Sequence, residues 1–433
     1  MSIASQGAVR HHSVIIIGGG QAGLSISWYL KQAGVDHLVL EKHQVGHAWR
    51  NERWDTFCLV TPNWQCNLPG YPYRGNDPFG FMKKDEIVEY LDGFVASFQP
   101  PVREGVSVNK LWREDGLWRI TASDGAYSAD QVVVAVGGYH IPVVPRAAER
   151  LPADIVQIHS SQYLNPQSLP EGEVLVVGTG QSGCQIAEDL HLAGRRVHLG
   201  VGDAPRVART YRGKDVVEWL DKMKYYDLPV DKHPLGTGVR EKTNHYVTGR
   251  DGGRDIDLRK FALEGMQLYG KFESLDGEVA HFGGGVKGYL DEADAVSESI
   301  KDSIDRFIDA NGIEAPTEAR YVPVWQPPSD TARALDLRAS GISAVVWCIG
   351  FRTDFSWINE PIFDGRGYPG HERGVTAAPG LYFLGLPWQY TWGSGRFSGI
   401  DRDARYLFDH ISALRAGATS STESTPSALS QAA

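Results

Sequence analysis

Along the chain, short runs of β-branched apolar residues alternate with helical patterns, as expected of parallel strands joined by helices. The first run, residues 13–17, leads straight into GGGQAG at 18–23, and a helical stretch covers 24–32. A second run at 37–40 ends in Glu41. The same order returns as an apolar run at 173–177, GTGQSG at 178–183 and a helical stretch over 184–193. Two more runs, QVVVAVGG (131–138) and SAVVWCIG (343–350), read as buried strands ending in glycine, one after each of these units. The pattern predicts an α/β chain with two Rossmann-like dinucleotide-binding domains.

Each G-x-G-x-x-G run has a physical use. Its first glycine permits a tight turn, its second lets backbone approach a pyrophosphate, and its third lets helix pack on strand. The helix N-terminus then presents free N–H groups to the phosphates. For the first dinucleotide the candidate contacts are Gly18, Gly20, Gln21, Ala22 and Gly23, with Glu41 placed to accept ribose hydroxyls and Lys42 beside it. For the second they are Gly178, Gly180, Gln181, Ser182 and Gly183. Gly137 and Gly350 end the two later strands, where backbone would pass close to a cofactor. Val201 stands where the first unit has Glu41, so the second ligand should be recognised differently. Arg195, Arg196, Arg206, Arg209, Arg212 and Lys214 cluster around this unit; with Arg206 as the chosen candidate, they favour the 2′-phosphate of NADPH, with NADH open because Asp203 could bond a plain ribose.

Composition narrows the classes. The 433 residues are enough for two or three domains, and a net charge of -10 argues against a nucleic-acid or anionic-membrane surface. No run approaches the ~18 apolar residues of a spanning helix and no signal-peptide pattern opens the chain, so a cytoplasmic location is expected. Cys58, Cys66, Cys184 and Cys348 show neither CxxC nor CxxxxC spacing, which leaves no written zinc knuckle or redox-active dithiol, and no metal is expected.

The ordered set GGGQAG (18–23), GHAWR (46–50), HSSQY (159–163), GTGQSG (178–183) and GLYFLGLPWQYTWGSGRFSGIDRDARYLFDHI (380–411) resembles the flavin-containing monooxygenase superfamily, in its bacterial stand-alone branch. The likeness spans roughly residues 13–411. Runs at 53–73 and 246–271 are similar to a subgroup encoded beside nitrilase-type genes, which would imply small nitrogenous substrates. The resemblance implies FAD held by Gly18, Gly20, Gly23 and Glu41, with Trp49 and Arg50 along the flavin. Segment 385–399, including Gly385 and Gln389, would close over the isoalloxazine, and a helix from near Asp401 would aim its N-terminus at the flavin N1–C2=O edge. It further implies hydride from NAD(P)H, oxygen transfer from a flavin C4a-hydroperoxide, and a small molecule and O2 as partners. Arg53, Asn63 and Gln389 are the candidate catalytic groups, and Trp54, Trp64, Tyr71, Tyr73, Trp388, Tyr390 and Trp392 the candidate wall against water.

The chain also departs from the family. The fingerprint FxGxxxHxxxY meets Ala153 and Ile155 in place of Phe and Gly, keeping His159 and Tyr163, and the family's asparagine aligns with Val60, three residues before Asn63. A disulfide oxidoreductase would need a closer cysteine pair than Cys58 and Cys66. An NAD(P)H oxidase or dehydrogenase without oxygen insertion, and a non-enzymatic flavin sensor, stay open. The expected layout is an FAD domain over 13–168 and 350–415 and a nucleotide domain over 169–349. A lid is expected within 211–320, from helical patches at 215–225 and 291–311 and glycine joints at 249–253 and 283–288, and disorder over 1–12 and 416–433. Assembly of identical copies is left open.

Overall fold

The structure, a computed structural model, describes residues 9–422. The chain opens with β1 (Arg10–Ile17), α1 (Gln21–Gln32), β2 (His37–Leu40), the short α2 (His47–Asn51), α3 (Lys84–Phe98) and β3 (Val102–Arg103). A meander follows, β4 (Val108–Glu114), β5 (Leu117–Ala122) and β6 (Gly125–Val134). Next come β7 (Val156–His159), β8 (Glu173–Val177), α4 (Gln181–Leu192), β9 (Val197–Gly200), β10 (Gln267–Tyr269), α5 (Val286–Ala310) and β11 (Ile342–Trp347). The chain returns through β12 (His371–Glu372), β13 (Val375–Thr376), β14 (Leu381–Phe383) and α6 (Ile400–Thr422).

Two sheets carry the architecture. The first has the order β12-β13-β14-β6-β1-β2-β3, with the β4–β5 hairpin attached to β6, and the second is β7-β11-β8-β9-β10. Around β1 and throughout the second sheet the pairings are parallel. Parallel strands covered on both faces must be apolar at every position. In β1, Val14 and Ile16 enter the core beneath α1, α3 and α6, while Ile15 and Ile17 enter the core on the opposite face. In β8, Val174 and Val176 face the core shared with α4, and Leu175 and Val177 face the other way. The two crossing segments run side by side, Ile141–Pro142 paired antiparallel with Phe351–Arg352.

The structure corrects four expectations. Strand β1 begins at Arg10, within the stretch expected to be disordered, because the Arg10 guanidinium sits 4.0 Å above the Tyr127 ring and 3.1 Å from Asp124. Helix α6 continues to Thr422, past the expected end at 415; residues 1–8 and 423–433 of the expected disorder lie outside the described residues. Strand β7 belongs to the second sheet, paired with β11, although it precedes the boundary placed at 168. The 211–320 region is not one lid. Strand β10 is an edge of the second sheet, and α5 buries Val286, Leu290 and Ala293 in that module's core and Ile304 and Ile308 beside Trp219. Two parts reach the first module: near 225–244, Val230 N donates to Tyr390 O at 2.7 Å and Arg240 Nε to Trp388 O at 3.1 Å, and at 249–253 the glycines pack on Leu59 and Phe81. Among the described residues no helix is long and apolar enough to cross a membrane.

Candidate functional site

The two glycine turns are built alike. Gly18 N donates to Leu40 O at 2.9 Å and Gly178 N to Gly200 O at 3.0 Å, so Glu41 and Val201 occupy equivalent positions. Both first glycines have positive φ, 109° and 104°, and a Cβ there would lie 2.5 Å from Ala135 O and 2.6 Å from Cys348 O respectively. In Gly23 and Gly183 a Cβ would lie 1.9 Å from the carbonyl of the first glycine of each turn, so helix and strand could not meet. A Cβ on Gly20 would meet nothing within 4 Å, and one on Gly180 only Thr243 Cγ2 at 3.7 Å. The space beside the middle glycines is therefore free of protein atoms. Neither α1 nor α4 has a side-chain cap or an acid in its first turn, which leaves their N–H groups for an anion. These cradles fit the pyrophosphates of two dinucleotides.

Around the first cradle, the buried Glu41 carboxylate accepts from Gly19 N at 2.6 Å and His43 N at 2.8 Å, which fixes it at the end of β2 with lone pairs left over. Lys42 beside it is exposed. Gln21, in the first turn of α1, donates through Nε2 to Gly395 O at 2.9 Å and accepts through Oε1 from Trp49 Nε1 at 3.1 Å. Ala22 is approached so closely by the later segment that a Cβ on Gly385 would lie 2.7 Å from its own. The structure thus brings Gln21, Ala22, Trp49, Gly385 and Gly395 together. Trp49 packs its ring 5.3 Å from Phe397, and Arg53 sits 5.1 Å from the Trp49 centroid. Around the second cradle, Gln181 is half-buried and Ser182 exposed at the start of α4. Gly137 and Gly350 have positive φ just beyond the crossing strands, with no atom near a would-be Cβ.

Other expected residues have different work. Asn63 accepts from Met82 N at 2.7 Å and donates to Asp77 O at 2.9 Å; it is 4% exposed and clamps the 77–82 loop. Gln389 is 1% exposed, donating to Arg373 O at 3.1 Å and accepting from Leu386 N at 3.3 Å, so it holds its own turn. Arg50 points to Val45 O and the Asp92 carboxylate. The Arg206 guanidinium is 4% exposed, 2.6 Å from Asp294, 3.8 Å from Asp255 and stacked on Tyr321. Its neighbours are engaged too: Arg195 with three carbonyls, Arg196 with Glu173, Arg209 with Asp215, Arg212 with Asp305 and Lys214 with Glu218. His159 caps the turn over Ser160–Gln162 and reaches Gly350 O at 3.1 Å, and Tyr163 donates to the buried Asp189 at 2.7 Å. The two residues retained from the family fingerprint thus brace the inter-module joint.

Sequence reading missed Arg396. It lies within the segment expected to cover the flavin, 4.1 Å above Trp392, with Nη2 donating to Asn244 Oδ1 at 3.2 Å. Asn244 follows Thr243, the neighbour of Gly180, so this bond spans the two modules. Asp403, in the first turn of α6, is also new: it is 2% exposed and burial pushes its carboxyl up. All four cysteines are free and buried. Burial raises every one of their thiols, Cys58 to about 11 and Cys66 to about 12.

Two glycine cradles on two sheets, with aromatic and arginine side chains between them, define a two-dinucleotide flavoprotein oxidoreductase. Residues 15–225 match the family model described as pyridine nucleotide-disulphide oxidoreductase. An uncharacterized oxidoreductase CzcO-like of Geobacillus kaustophilus (strain HTA426) is 34% identical over 402 residues, covering 92% of this chain and 97% of that one. A probable indole-3-pyruvate monooxygenase, YUCCA3 of Arabidopsis thaliana, is 30% identical over 53% of this chain and 55% of its own length. In architecture the chain is similar to a flavin-containing monooxygenase from Stenotrophomonas maltophilia, with a TM-score of 0.59 and 21% identity over 94% of this chain and 99% of that one. The chain belongs to the family of CzcO-like oxidoreductases and is a flavin-dependent oxidoreductase.

Proposed function

We propose that this chain is an FAD-dependent, NAD(P)H-consuming monooxygenase acting on a small metabolite. The observation that carries the proposal is the convergence at one place of the first cradle, through Gln21, the covering segment, through Gly395 and Arg396, and the neighbourhood of the second cradle, through Asn244. The flavin, when bound, supplies two-electron transfer from the nicotinamide and the activation of O2. Gly18, Gly20, Gln21, Ala22, Gly23 and Glu41 would hold its ADP half, and Trp49 with segment 385–399 would hold and cover its ring. Gly178, Gly180, Gln181, Ser182 and Gly183 would hold the nicotinamide dinucleotide. The N-terminus of α6 would stabilise negative charge on the reduced ring, provided its own acids do not cancel it; burial favours the uncharged form of Asp403. Trp388, Trp392 and Tyr226 pack where the 225–244 region meets the covering segment, and would keep water out.

The buried cysteines weigh against disulfide chemistry, which needs an accessible thiolate. The paired cations near Arg206 remove the argument for NADPH over NADH, so either nucleotide serves as donor in this reading. The relatives named as monooxygenases support oxygen insertion over simple oxidase activity. The test is to follow NADPH- and NADH-driven O2 uptake by the purified yellow protein across small amines, sulfides, ketones and carboxylic acids. Label from isotopic O2 is then sought in the product and peroxide is measured in parallel. One oxygen atom retained in a product establishes the activity. Complete recovery of O2 as peroxide, or equally fast turnover with another acceptor and no O2, overturns it.

A further inference from the structure

We propose that the second cradle takes NADH in preference to NADPH and that Asp203, on the turn after β9, makes the choice by repelling a 2′-phosphate. The inference rests on the reading of this cradle as the nicotinamide dinucleotide site and names the nucleotide it takes.

The two modules can be compared residue by residue because their turns share one register. Glu41 N donates to Arg103 O and Val201 N to Tyr269 O, both at 2.9 Å, so each residue stands just past its strand, at the edge where the adenosine ribose of a dinucleotide is read. In the first module the reader is a carboxylate. Gly19 N donates to Glu41 Oε2 at 2.6 Å, and a Cβ on Gly19 would lie 3.0 Å from Glu41 Cβ, so the acid fits because residue 19 has no side chain. The second module is built the other way round. Thr179, the counterpart of Gly19, is 2% exposed, and its Oγ1 accepts from Gly202 N at 2.9 Å. A hydroxyl from the cradle thus ties down the turn, with Val201 in the acid's place.

What the turn offers a ribose is therefore decided by Gly202 and Asp203. Recognition of a 2′-phosphate calls for a guanidinium or ammonium group free to meet it. Between residues 195 and 214 that supply is spent: Arg195 is held by three carbonyls, and Arg196, Arg206, Arg209, Arg212 and Lys214 each lie within 3.2 Å of a carboxylate. Asp203 is the opposite case, exposed and without an ion-pair partner among the described residues. It adjoins Gly202, so its Cα lies ~3.8 Å from that of the residue Thr179 holds. Its carboxylate would accept the hydroxyls of an unmodified ribose, whereas a 2′-phosphate would bring like charges together with no cation between them. Room for the opposite chemistry exists next door. A Cβ on Gly202 would meet only Thr179 Oγ1, at 3.7 Å, so a longer side chain fits there.

A cation could also arrive from a neighbouring strand. Arg333 is exposed and has no ion-pair partner among the described residues. Its Nη2 lies 2.7 Å from where a Cβ on Gly284 would stand, and Gly284 O lies 3.2 Å from where one on Gly270, next to Tyr269, would stand. The experiment separates the two arrangements. Flavin-loaded protein, its first cradle filled, is titrated calorimetrically with ADP-ribose and with its 2′-phosphate, and the KM for NADH and NADPH is measured on the same preparations. Plain ADP-ribose should bind about tenfold more tightly, and Asp203→Asn should bring the two compounds to within about twofold. Asp203→Glu should keep the preference and Gly202→Arg should reverse it, with flavin content and melting temperature unchanged. Equal binding by the wild-type protein, or tighter binding of the phosphorylated form, overturns the proposal, and loss of the latter in Arg333→Met would assign the site to that arginine. An Asp203→Asn protein with an unaltered preference overturns it as well. Should neither compound bind, the second cradle is not a nucleotide site and the monooxygenase reading falls with it.

Discussion

Gln21 and Trp49 are joined by a 3.1 Å hydrogen bond in which the indole N–H donates to the amide oxygen, while the amide nitrogen of Gln21 holds Gly395 O. One side chain in the first turn of α1 therefore sets the position of two segments far away in sequence, both assigned here to the flavin ring. Trp49→Phe keeps an aromatic ring against Phe397 and removes the donor, leaving Gln21 Oε1 unpaired. A lost hydrogen bond of about 1 kcal/mol corresponds to roughly fivefold weaker flavin binding. Reconstitution of flavin-free protein checks this, and unchanged affinity would detach the pair from the cofactor.

The glycine turns make a sharper forecast because steric room differs along each motif. Gly20 and Gly180 have negative φ, and a Cβ on either meets no protein atom closer than 3.7 Å, so alanine should be tolerated by the fold. Gly20→Ala should fold with its ordinary melting temperature and lose its yellow colour. Gly180→Ala should keep the flavin and raise the nucleotide KM. Gly23→Ala, whose Cβ would lie 1.9 Å from Gly18 O, should fail to fold. Loss of flavin in both middle-glycine variants would show that the modules have been assigned wrongly.

Arg206 is expected to act in stability and not in nucleotide choice. Removing it leaves Asp294 paired with Arg259 alone, so the loss is smaller than the roughly 3–5 kcal/mol of a buried pair broken outright. Arg206→Met should therefore lower the unfolding free energy by about 1–3 kcal/mol while the NADPH-to-NADH ratio of kcat/KM stays within twofold. A tenfold fall in that ratio without loss of stability would return the residue to the 2′-phosphate.

Glu188, which is buried, and His371, which is half-buried, give opposed pH dependences. Burial lifts the Glu188 carboxyl to about 7, so between roughly pH 4.5 and 7 the folded chain holds a proton that the unfolded chain has released. Stability falls as pH rises through that window. His371 is pushed down to about 4, by burial first and then by Arg240, so between pH 6.5 and 4 the unfolded chain gains a proton that the fold refuses. Stability falls there as pH falls. Relative to wild type, Glu188→Gln should gain on the order of 1–3 kcal/mol between pH 5 and 7.5, and His371→Asn should gain as the pH is lowered from 6.5 to 4.5. Denaturation curves running parallel to wild type across both windows would refute the assignment.

Much of the architecture was legible because local chemistry dictates it. The runs at 13–17 and 173–177 are apolar at consecutive positions, which only a strand covered on both faces tolerates, and the glycines after them fit a turn that no side chain could enter. That information is contained within thirty or so residues, and the two cradles and the place of Glu41 follow from it, whereas the start of α6 near Asp401 came from the family resemblance. What the tertiary structure alone decided was the partner of each polar group. Arg206 and Asn63 looked available because nothing nearby in sequence pairs with them. Asp294 and Met82, which do, are brought in by folding. A hydrophobic period records which face is buried, because burial acts on each residue separately; the pairing of charges depends on two residues at once and appears only when the chain has closed.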